Sequence, residues 1–242
     1  PGAAGAALAA AANALPQPRA IIIVSAHWDT AVPTVGFADR PETIHDFWGF
    51  PEELYALRYP ATGCREGAEA VAQAIETAGL VVERDATRGL DHGAWLPLRL
   101  MFPNADVPVI PLSIQSHGGP KQAYQLGRAL APLRDEGVLV VGSGSLTHNL
   151  YEFRGAHGAD APYARAFSDW VRDTLQRQDH TSLLQTMALA PHAERAHPTP
   201  DHLLPLMVAA GAAGADVPVQ WLDGGITHGV LSMDSFVFDP IQ

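Results

Sequence analysis

Short runs of apolar, β-branched residues alternate along the chain with longer segments in which apolar residues recur every three or four positions. The run Ala20 to Ala26 (AIIIVSA) is typical of a strand that is buried on both faces. In residues 64–77, apolar side chains recur at the spacing of one helix face. The same patterns predict further strands at 81–84, 107–114, 138–141, 217–222 and 230–238, and further helices at 2–15, 122–133, 161–178 and 199–211. This alternation indicates an α/β fold in which helices cover both faces of a mostly parallel central sheet.

Two segments depart from these simple patterns. The predicted strand 107–114 contains Pro108 and Pro111, which favour a sheet edge or a β-bulge because proline has no N–H group to donate. Residues 177–200 are rich in His, Gln and Ala and are expected to be irregular. No repeat, low-complexity linker or shift in composition divides the chain, so we expect residues 1–242 to form a single domain.

Composition and charge narrow the classes of partner. The 242 residues are 47% apolar and 17% charged, and the formal net charge is −11 with 15 Lys and Arg residues. A chain without clustered basic residues is not expected to bind nucleic acid or an anionic membrane surface. No apolar stretch approaches the roughly 18 to 20 residues of a membrane span. Cys64 is the sole cysteine, which excludes an intrachain disulfide and a cysteine-based zinc site and fits a reducing, cytoplasmic location.

Eleven histidines in so weakly charged a chain point to metal binding or proton transfer, two common roles of imidazole near neutral pH. His27 directly follows the predicted strand 20–26, and His148 follows the small residues Gly142–Ser145 at the end of strand 138–141. Because ligands bind at the edge where the carboxyl ends of parallel strands meet, we expect both imidazoles at one site. The alternative for each is a structural histidine buried at a strand end.

Three further histidines are candidates for the same site. His202 begins an apolar helix beside Asp201, which suits either a metal ligand with a carboxylate partner or a surface residue at a helix start. His92 lies in a tight Asp-His-Gly turn that leads into a helix, and His45 lies in the aromatic-rich loop 44–51. Aromatic side chains around an imidazole suit a pocket for a flat ring, or equally a plug that seals the sheet. The other six histidines are expected at the surface: His117, His157, His180, His192, His197 and His228.

Six sequence motifs occur in a specific order along the chain. They are SAHW (25–28), IHDFWGFP (44–51), LDHGAWLPL (90–98), PLSIQS (111–116), GSGSLTHNL (142–150) and TPDHLLPL (199–206). In this order the motifs resemble those of the class III extradiol ring-cleavage dioxygenases, and within that class the 4,5-DOPA dioxygenase (DODA) type. The resemblance extends from about residue 16 to about residue 233. It implies a single catalytic domain that inserts O₂ into a catechol-type aromatic ring at a non-haem Fe(II) centre, with zinc as an alternative metal in the isolated protein.

The resemblance also implies roles for individual residues. His27 and His202 match metal ligands, and His148 matches either a further ligand or the acid–base residue. His92 matches a pocket histidine that contacts substrate or oxygen. His45 matches a recurrent motif position whose role stays open. In the mechanism that follows from the resemblance, the residues expected to border the substrate ring are His45, Trp28, Phe47 and Trp48. The implied partners are a small catechol and O₂, whereas the particular catechol, the bond that is cleaved and the oligomeric state stay open.

One motif of the family is absent from the sequence. The family carries a further metal ligand in a Gly-His-Gly-Ser/Ala-Pro turn after an early strand, and this chain begins at Pro1 without such a turn. We therefore expect the native first strand and its histidine to precede Pro1.

Two other functions stay open. The first is a zinc-dependent hydrolase that uses a metal-bound hydroxide, although the chain contains neither H-E-x-x-H nor G-x-S-x-G. The second is a non-catalytic binding protein, as in the Memo-like relatives of this fold, in which a degenerate site serves recognition. Metal content and oxygen consumption with a catechol distinguish these functions.

Overall fold

A five-stranded sheet forms the centre of the structure, a computed structural model that describes residues 2–153 and 159–239. Its strands are β1 (Ala20–Asp29), β2 (Thr34–Gly36), β3 (Glu83–Asp85), β4 (Val109–Ile114) and β5 (Val138–Ser143). The order across the sheet is β3-β2-β4-β1-β5. The pairs β1–β4, β1–β5 and β2–β3 are parallel, while β2 meets β4 antiparallel. The predicted mostly parallel sheet is confirmed.

Helices connect and cover these strands. In the described ranges they are α1 (Ala3–Ala14), α2 (Glu52–Ala56), α3 (Arg65–Thr77), α4 (His92–Met101), α5 (Gly119–Arg134), α6 (Pro162–Gln176), α7 (His180–Leu183), α8 (Thr186–Leu189), α9 (Ala193–Ala196) and α10 (Leu204–Ala213). Single 3₁₀ turns lie at Ser116–Gly118 and Leu150–Glu152. A helix with the length and apolar character needed to cross a bilayer does not occur among the described residues.

Strand β1 is covered on both faces, because neighbouring residues of a strand point to opposite sides of the sheet. Ile22 and Val24 lie in a large core together with buried residues of α3, α5, α6 and α10. Ile21 and Ile23 belong to a second, smaller core that includes Trp95 of α4. Helices therefore cover both faces of the sheet, which explains why the sequence of β1 is a continuous apolar run.

The sheet differs from the sequence-based expectation at two strands. β1 continues to Asp29, so His27 lies within the strand rather than directly after it. β4 lies between β1 and β2, so the edge position predicted from its prolines is wrong. Pro111 packs next to Gly36 of β2. A residue with a Cβ atom at position 36 would bring that atom to 2.4 Å from the proline Cγ, so the glycine leaves room for the proline ring. The register of β1 with β4 shifts between Val24 and Asp29, but Pro111 itself is paired in register with Ile23.

The C-terminal strands form two small antiparallel sheets instead of joining the central sheet. β6 (Val219–Leu222) pairs with β9 (Ser235–Phe238), and β7 (Ile226–Thr227) pairs with β8 (Leu231–Ser232). The predicted strand 230–238 is therefore split in two. The predicted helix 199–211 begins only at Leu204, and the segment 177–200 contains the one-turn helices α7, α8 and α9.

Candidate metal centre

Four imidazoles from distant parts of the chain meet at the carboxyl-terminal edge of the central sheet. We name them the histidine cluster: His27 near the end of β1, His92 at the start of α4, His148 after β5 and His202 before α10. The ring centroid of His27 lies 4.1 Å from that of His92 and 5.0 Å from that of His202. The His148 ring stacks on His202 at 3.4 Å with the two planes 6° apart. The predicted convergence of these residues is therefore observed, whereas their chemical roles stay predictions.

The parallel pairing of β1 and β5 explains why two of these imidazoles meet. Ser25 of β1 is paired with Ser143 of β5, so both strands end at the same edge of the sheet. His27 lies two residues beyond Ser25, and His148 lies in the loop that follows β5. The carboxyl-terminal edge of a parallel sheet is the usual ligand-binding position in α/β folds.

Backbone hydrogen bonds hold the two segments that carry His148 and His202. The Ser145 N–H donates to the carbonyl oxygen of His202 over 3.0 Å, and the His148 N–H donates to the carbonyl oxygen of Ala196 over 2.8 Å. Gly144 permits the close packing, because a Cβ atom there would lie 2.1 Å from the His202 carbonyl oxygen. The stacked pair is thus positioned by the main chain as well as by its own contact.

The start of α4 packs directly against the end of β1. Asp91 caps α4 by accepting a backbone N–H of its first turn over 3.1 Å, and the Ser25 hydroxyl donates to the same carboxylate over 2.5 Å. Gly93 keeps the contact close, since a Cβ atom there would lie 2.9 Å from Cδ2 of His27. Capping of the helix therefore also brings His92 next to His27.

Two aspartates contact the histidine cluster at the Nδ1 atoms of its rings. Oδ2 of Asp201 lies 2.5 Å from Nδ1 of His202. Asp46 lies between two rings, with Oδ1 3.0 Å from Nδ1 of His92 and Oδ2 3.5 Å from Nδ1 of His27. Sequence reasoning identifies Asp201 as a candidate partner but misses Asp46, whose only signal is its place in the aromatic-rich loop.

Burial and mutual repulsion lower the pKa of two imidazoles of the cluster. Burial first, and then repulsion from His202, lowers the pKa of His148 to about 4. Burial, followed by repulsion from His92 and His202, also lowers the pKa of His27. Burial alone would raise the pKa of Asp201, but hydrogen bonds, above all from His202, outweigh it and hold that pKa below its usual range. At neutral pH His27 and His148 are neutral and Asp201 is ionised, the states in which such side chains bind metal ions.

The donor atoms at this edge of the sheet fit a divalent transition-metal ion. Two groups of three donors, each with its atoms within 4.8 Å of one another, are His27, Asp46 and His92, and His148, Asp201 and His202. Imidazole nitrogens, together with carboxylates that either bind the metal or accept the Nδ1 protons of its ligands, suit non-haem Fe(II) and also zinc. Cys64 caps the start of α3, where its Sγ accepts the Gly67 N–H over 3.3 Å, and it belongs to neither group of donors.

The aromatic-rich loop 44–51 borders the histidine cluster. Phe47 meets His92 edge-on, with the ring centroids 5.6 Å apart. The ring of His45 packs against Phe47 at 5.7 Å, and its Nε2 lies 3.0 Å from the carbonyl oxygen of Leu57. Phe47 therefore contacts the cluster directly, whereas His45 contacts Phe47 and the backbone.

The two tryptophans predicted to surround the substrate ring occupy different environments. Trp48 is 85% exposed, so its indole is accessible to a molecule that approaches from solvent. Trp28 is 8% exposed and lies beneath the guanidinium of Arg88, at 4.9 Å from the ring centroid. The Trp28 ring is thus packed against a cationic side chain of the protein itself, in a cation–π contact.

The six histidines expected at the surface differ in burial. His117 and His192 are exposed, and His180 and His228 are partly buried. His157 lies outside the described residues. The expectation is wrong for His197, which is 1% exposed and whose Nε2 lies 2.9 Å from the carbonyl oxygen of Leu146. This buried contact fixes the chain two residues before His148.

Burial of His197 predicts that the fold loses stability in mild acid. Burial lowers the pKa of this imidazole to about 4, below its ordinary value of 6.5. As the pH falls below 6.5, the unfolded chain takes up a proton that the folded chain does not, so the free energy of unfolding decreases toward pH 4. Between pH 7.5 and pH 5 we expect this residue to remove about 2 kcal/mol.

Urea unfolding at the two pH values measures this loss. His197→Gln should make the free energy of unfolding less dependent on pH, whereas the exposed control His117→Gln should behave like the unaltered protein. An acid-induced loss of the same size in the His197 variant would contradict the prediction.

Comparisons with known proteins agree over nearly the whole chain. The family model of the catalytic LigB subunit of aromatic ring-opening dioxygenase matches residues 5–238. A 4,5-DOPA dioxygenase extradiol of Beta vulgaris is 43% identical over 223 residues, which cover 92% of this chain and 83% of the relative. The protein of the same name from Escherichia coli (strain K12) is 38% identical, over 90% of this chain and 82% of its own length. The crystal structure of an uncharacterized Escherichia coli K12 protein matches with a TM-score of 0.80 at 32% identity, covering 96% of this chain and 91% of that one.

Proposed function

This chain belongs to the LigB family of aromatic ring-opening dioxygenases, and we propose that its histidine cluster is the reaction centre. We further propose that the metal bound there is Fe(II). The protein is an extradiol ring-opening dioxygenase that is metal-dependent and acts on a small aromatic substrate with O₂. The proposal adds which residues bind the metal, which move protons and which class of aromatic ring is opened.

The observation that carries the proposal is the placement of His27 and His202. Their rings meet edge-on at 5.0 Å, and each has a carboxylate at Nδ1. A carboxylate accepts the Nδ1 proton, so the Nε2 lone pair stays available for a metal ion. Fe(II) bound there would supply the open positions at which both oxygens of a catechol and O₂ are brought together and activated.

His148 is proposed as the acid–base residue. Its lowered pKa, which results mainly from burial, makes the imidazole neutral at pH 7 and able to accept the proton of a substrate hydroxyl. The ring of His148 stacks on that of His202, a proposed metal ligand, which supports this role. The protonated ring then returns the proton during ring opening.

His92 and Phe47 are proposed to border the substrate and oxygen. His92 contacts the proposed ligand His27 and also Phe47, so it lies between a proposed metal ligand and an aromatic ring. A hydrogen bond from this histidine would orient oxygen or a substrate hydroxyl. We propose that Trp48, which is exposed in the same loop, covers the outer face of the ring when substrate is present.

The substrate class is proposed from the relatives. The relatives from Beta vulgaris and Escherichia coli described above are both named 4,5-DOPA dioxygenase extradiol. We therefore propose a catechol that carries a polar side chain, with DOPA as the first compound to test.

The test is a substrate panel with defined metal. The full-length gene product is stripped of metal, loaded anaerobically with Fe(II) and mixed with DOPA, protocatechuate or catechol in aerated buffer. We expect oxygen consumption together with a yellow ring-opened product, and no turnover in a zinc-loaded sample because zinc has no redox chemistry. Ester or amide hydrolysis by the zinc form, without oxygen consumption by the iron form, would contradict the proposal.

A further inference from the structure

Asp46 is in contact with two members of the histidine cluster at once. Its Oδ1 accepts the backbone N–H of His92 over 2.8 Å and lies 3.0 Å from Nδ1 of the same residue. Its Oδ2 lies 3.5 Å from Nδ1 of His27. The two oxygens of one carboxylate thus lie at ion-pair distance from the Nδ1 atoms of two different imidazoles, although the contact with the buried Nδ1 of His92 does not have the geometry of a hydrogen bond.

We propose that Asp46 is a positioning residue that keeps the ring proton of both His27 and His92 on Nδ1. Both Nε2 lone pairs are then left free to bind metal or substrate. This inference rests on the proposed function and deepens it, because it ties a proposed metal ligand and a proposed substrate contact to one carboxylate.

The charge of the carboxylate favours this assignment of protons. A neutral imidazole has one N–H donor and one acceptor nitrogen, whereas an ionised carboxylate is an acceptor only. A ring whose Nδ1 faces the carboxylate is therefore stabilised with the proton on Nδ1 and the lone pair on Nε2. The contact of Asp201 with His202 repeats the same arrangement at the other proposed metal ligand.

The loop that carries Asp46 is firmly attached to the start of α4. The Ile44 N–H donates to the carbonyl oxygen of Leu90 over 2.7 Å, and the indole N–H of Trp95 donates to the carbonyl oxygen of Ile44 over 2.9 Å. The carboxylate also lies at the amino-terminal end of α4, where the helix dipole favours negative charge. Asp46 and His92 are therefore held as one unit against the end of β1.

Asp46→Asn is the variant that isolates this role. The amide oxygen can still accept the His92 backbone N–H, but the NH₂ group that replaces the second oxygen is a donor and cannot accept an imidazole proton. At least one of the two rings should therefore shift its proton to Nε2. We expect metal affinity to fall about 10- to 100-fold, as is usual when the hydrogen-bond partner of a metal-binding histidine is lost.

The measurement is long-range ¹H–¹⁵N NMR of the histidine rings in the metal-free, full-length protein, with signals assigned through His27→Gln and His92→Gln. In the unaltered protein both rings should be protonated on Nδ1, and in Asp46→Asn at least one should be protonated on Nε2. Zinc affinity, measured in competition with a chelator, should fall in the same variant. The matched control is Asp85→Asn, because Asp85 accepts the backbone N–H groups of Thr87 and Arg88 over 2.8 and 3.0 Å and contacts no ring of the cluster in the described contacts.

The inference fails if the unaltered protein carries either ring proton on Nε2, or if Asp46→Asn leaves both tautomers and the zinc affinity unchanged. The spectrum of the unaltered protein decides the first point even if the variant does not fold. Because no substrate or iron is present, this result is independent of ring opening. A protein with the expected tautomers that opens no catechol would instead contradict the proposed function.

Discussion

Replacing His202 with alanine is expected to remove metal binding and ring opening together. The His202 ring lies at the centre of the histidine cluster, edge-on to His27 and stacked on His148. Its loss leaves Asp201 without the imidazole that its carboxylate contacts. Loss of the hydrogen-bond partner of a metal ligand weakens metal binding by up to roughly 100-fold. Loss of the ligand itself should weaken it by more than that.

Metal content after dialysis and turnover of DOPA by the iron-loaded protein measure the two losses. His117→Ala is the control, because His117 is exposed and lies in a separate 3₁₀ turn. A His202→Ala protein that keeps stoichiometric metal and its turnover would show that this residue is not a ligand.

Replacing His148 with alanine is expected to lower turnover by roughly 10² to 10⁴ while the metal stays bound, as is usual when an acid–base residue is lost. The reason is that the neutral imidazole beside His202 would no longer be present to accept the substrate proton. Iron content and kcat are measured on the same sample, which distinguishes the role of metal ligand from the role of acid–base residue.

Loss of iron in parallel with kcat would identify His148 as a ligand and contradict its assignment as the base. Retention of near-normal kcat would exclude both roles. His192→Ala is a suitable control, because it removes an exposed imidazole from the same half of the chain.

The sequence predicts the centre of the fold because its signals there are local. The apolar run of β1 identifies a strand covered on both faces, and parallel strands bring His27 and His148 to the same edge of the sheet. The family motifs add His202 and His92, which the structure places in contact with them. The further histidine expected before Pro1 stays a prediction.

Features that depend on packing between distant segments are not visible in the sequence. His197 has a polar neighbourhood in the chain, yet it is buried against the carbonyl oxygen of Leu146, about fifty residues away along the chain. Asp46 resembles any loop aspartate until α4 is packed against β1. Pro111 lies inside the sheet against Gly36 of β2, a position where any other residue's Cβ atom would clash with the proline ring.

The position of the iron is the most direct test of the account. A crystal structure of the full-length protein, loaded anaerobically with Fe(II), would locate the metal by its anomalous scattering. We predict one iron bonded to Nε2 of His27 and Nε2 of His202, with His148 and His92 beside it. Iron bound away from these four imidazoles, or bound on the Nδ1 side at Asp46, would contradict the account.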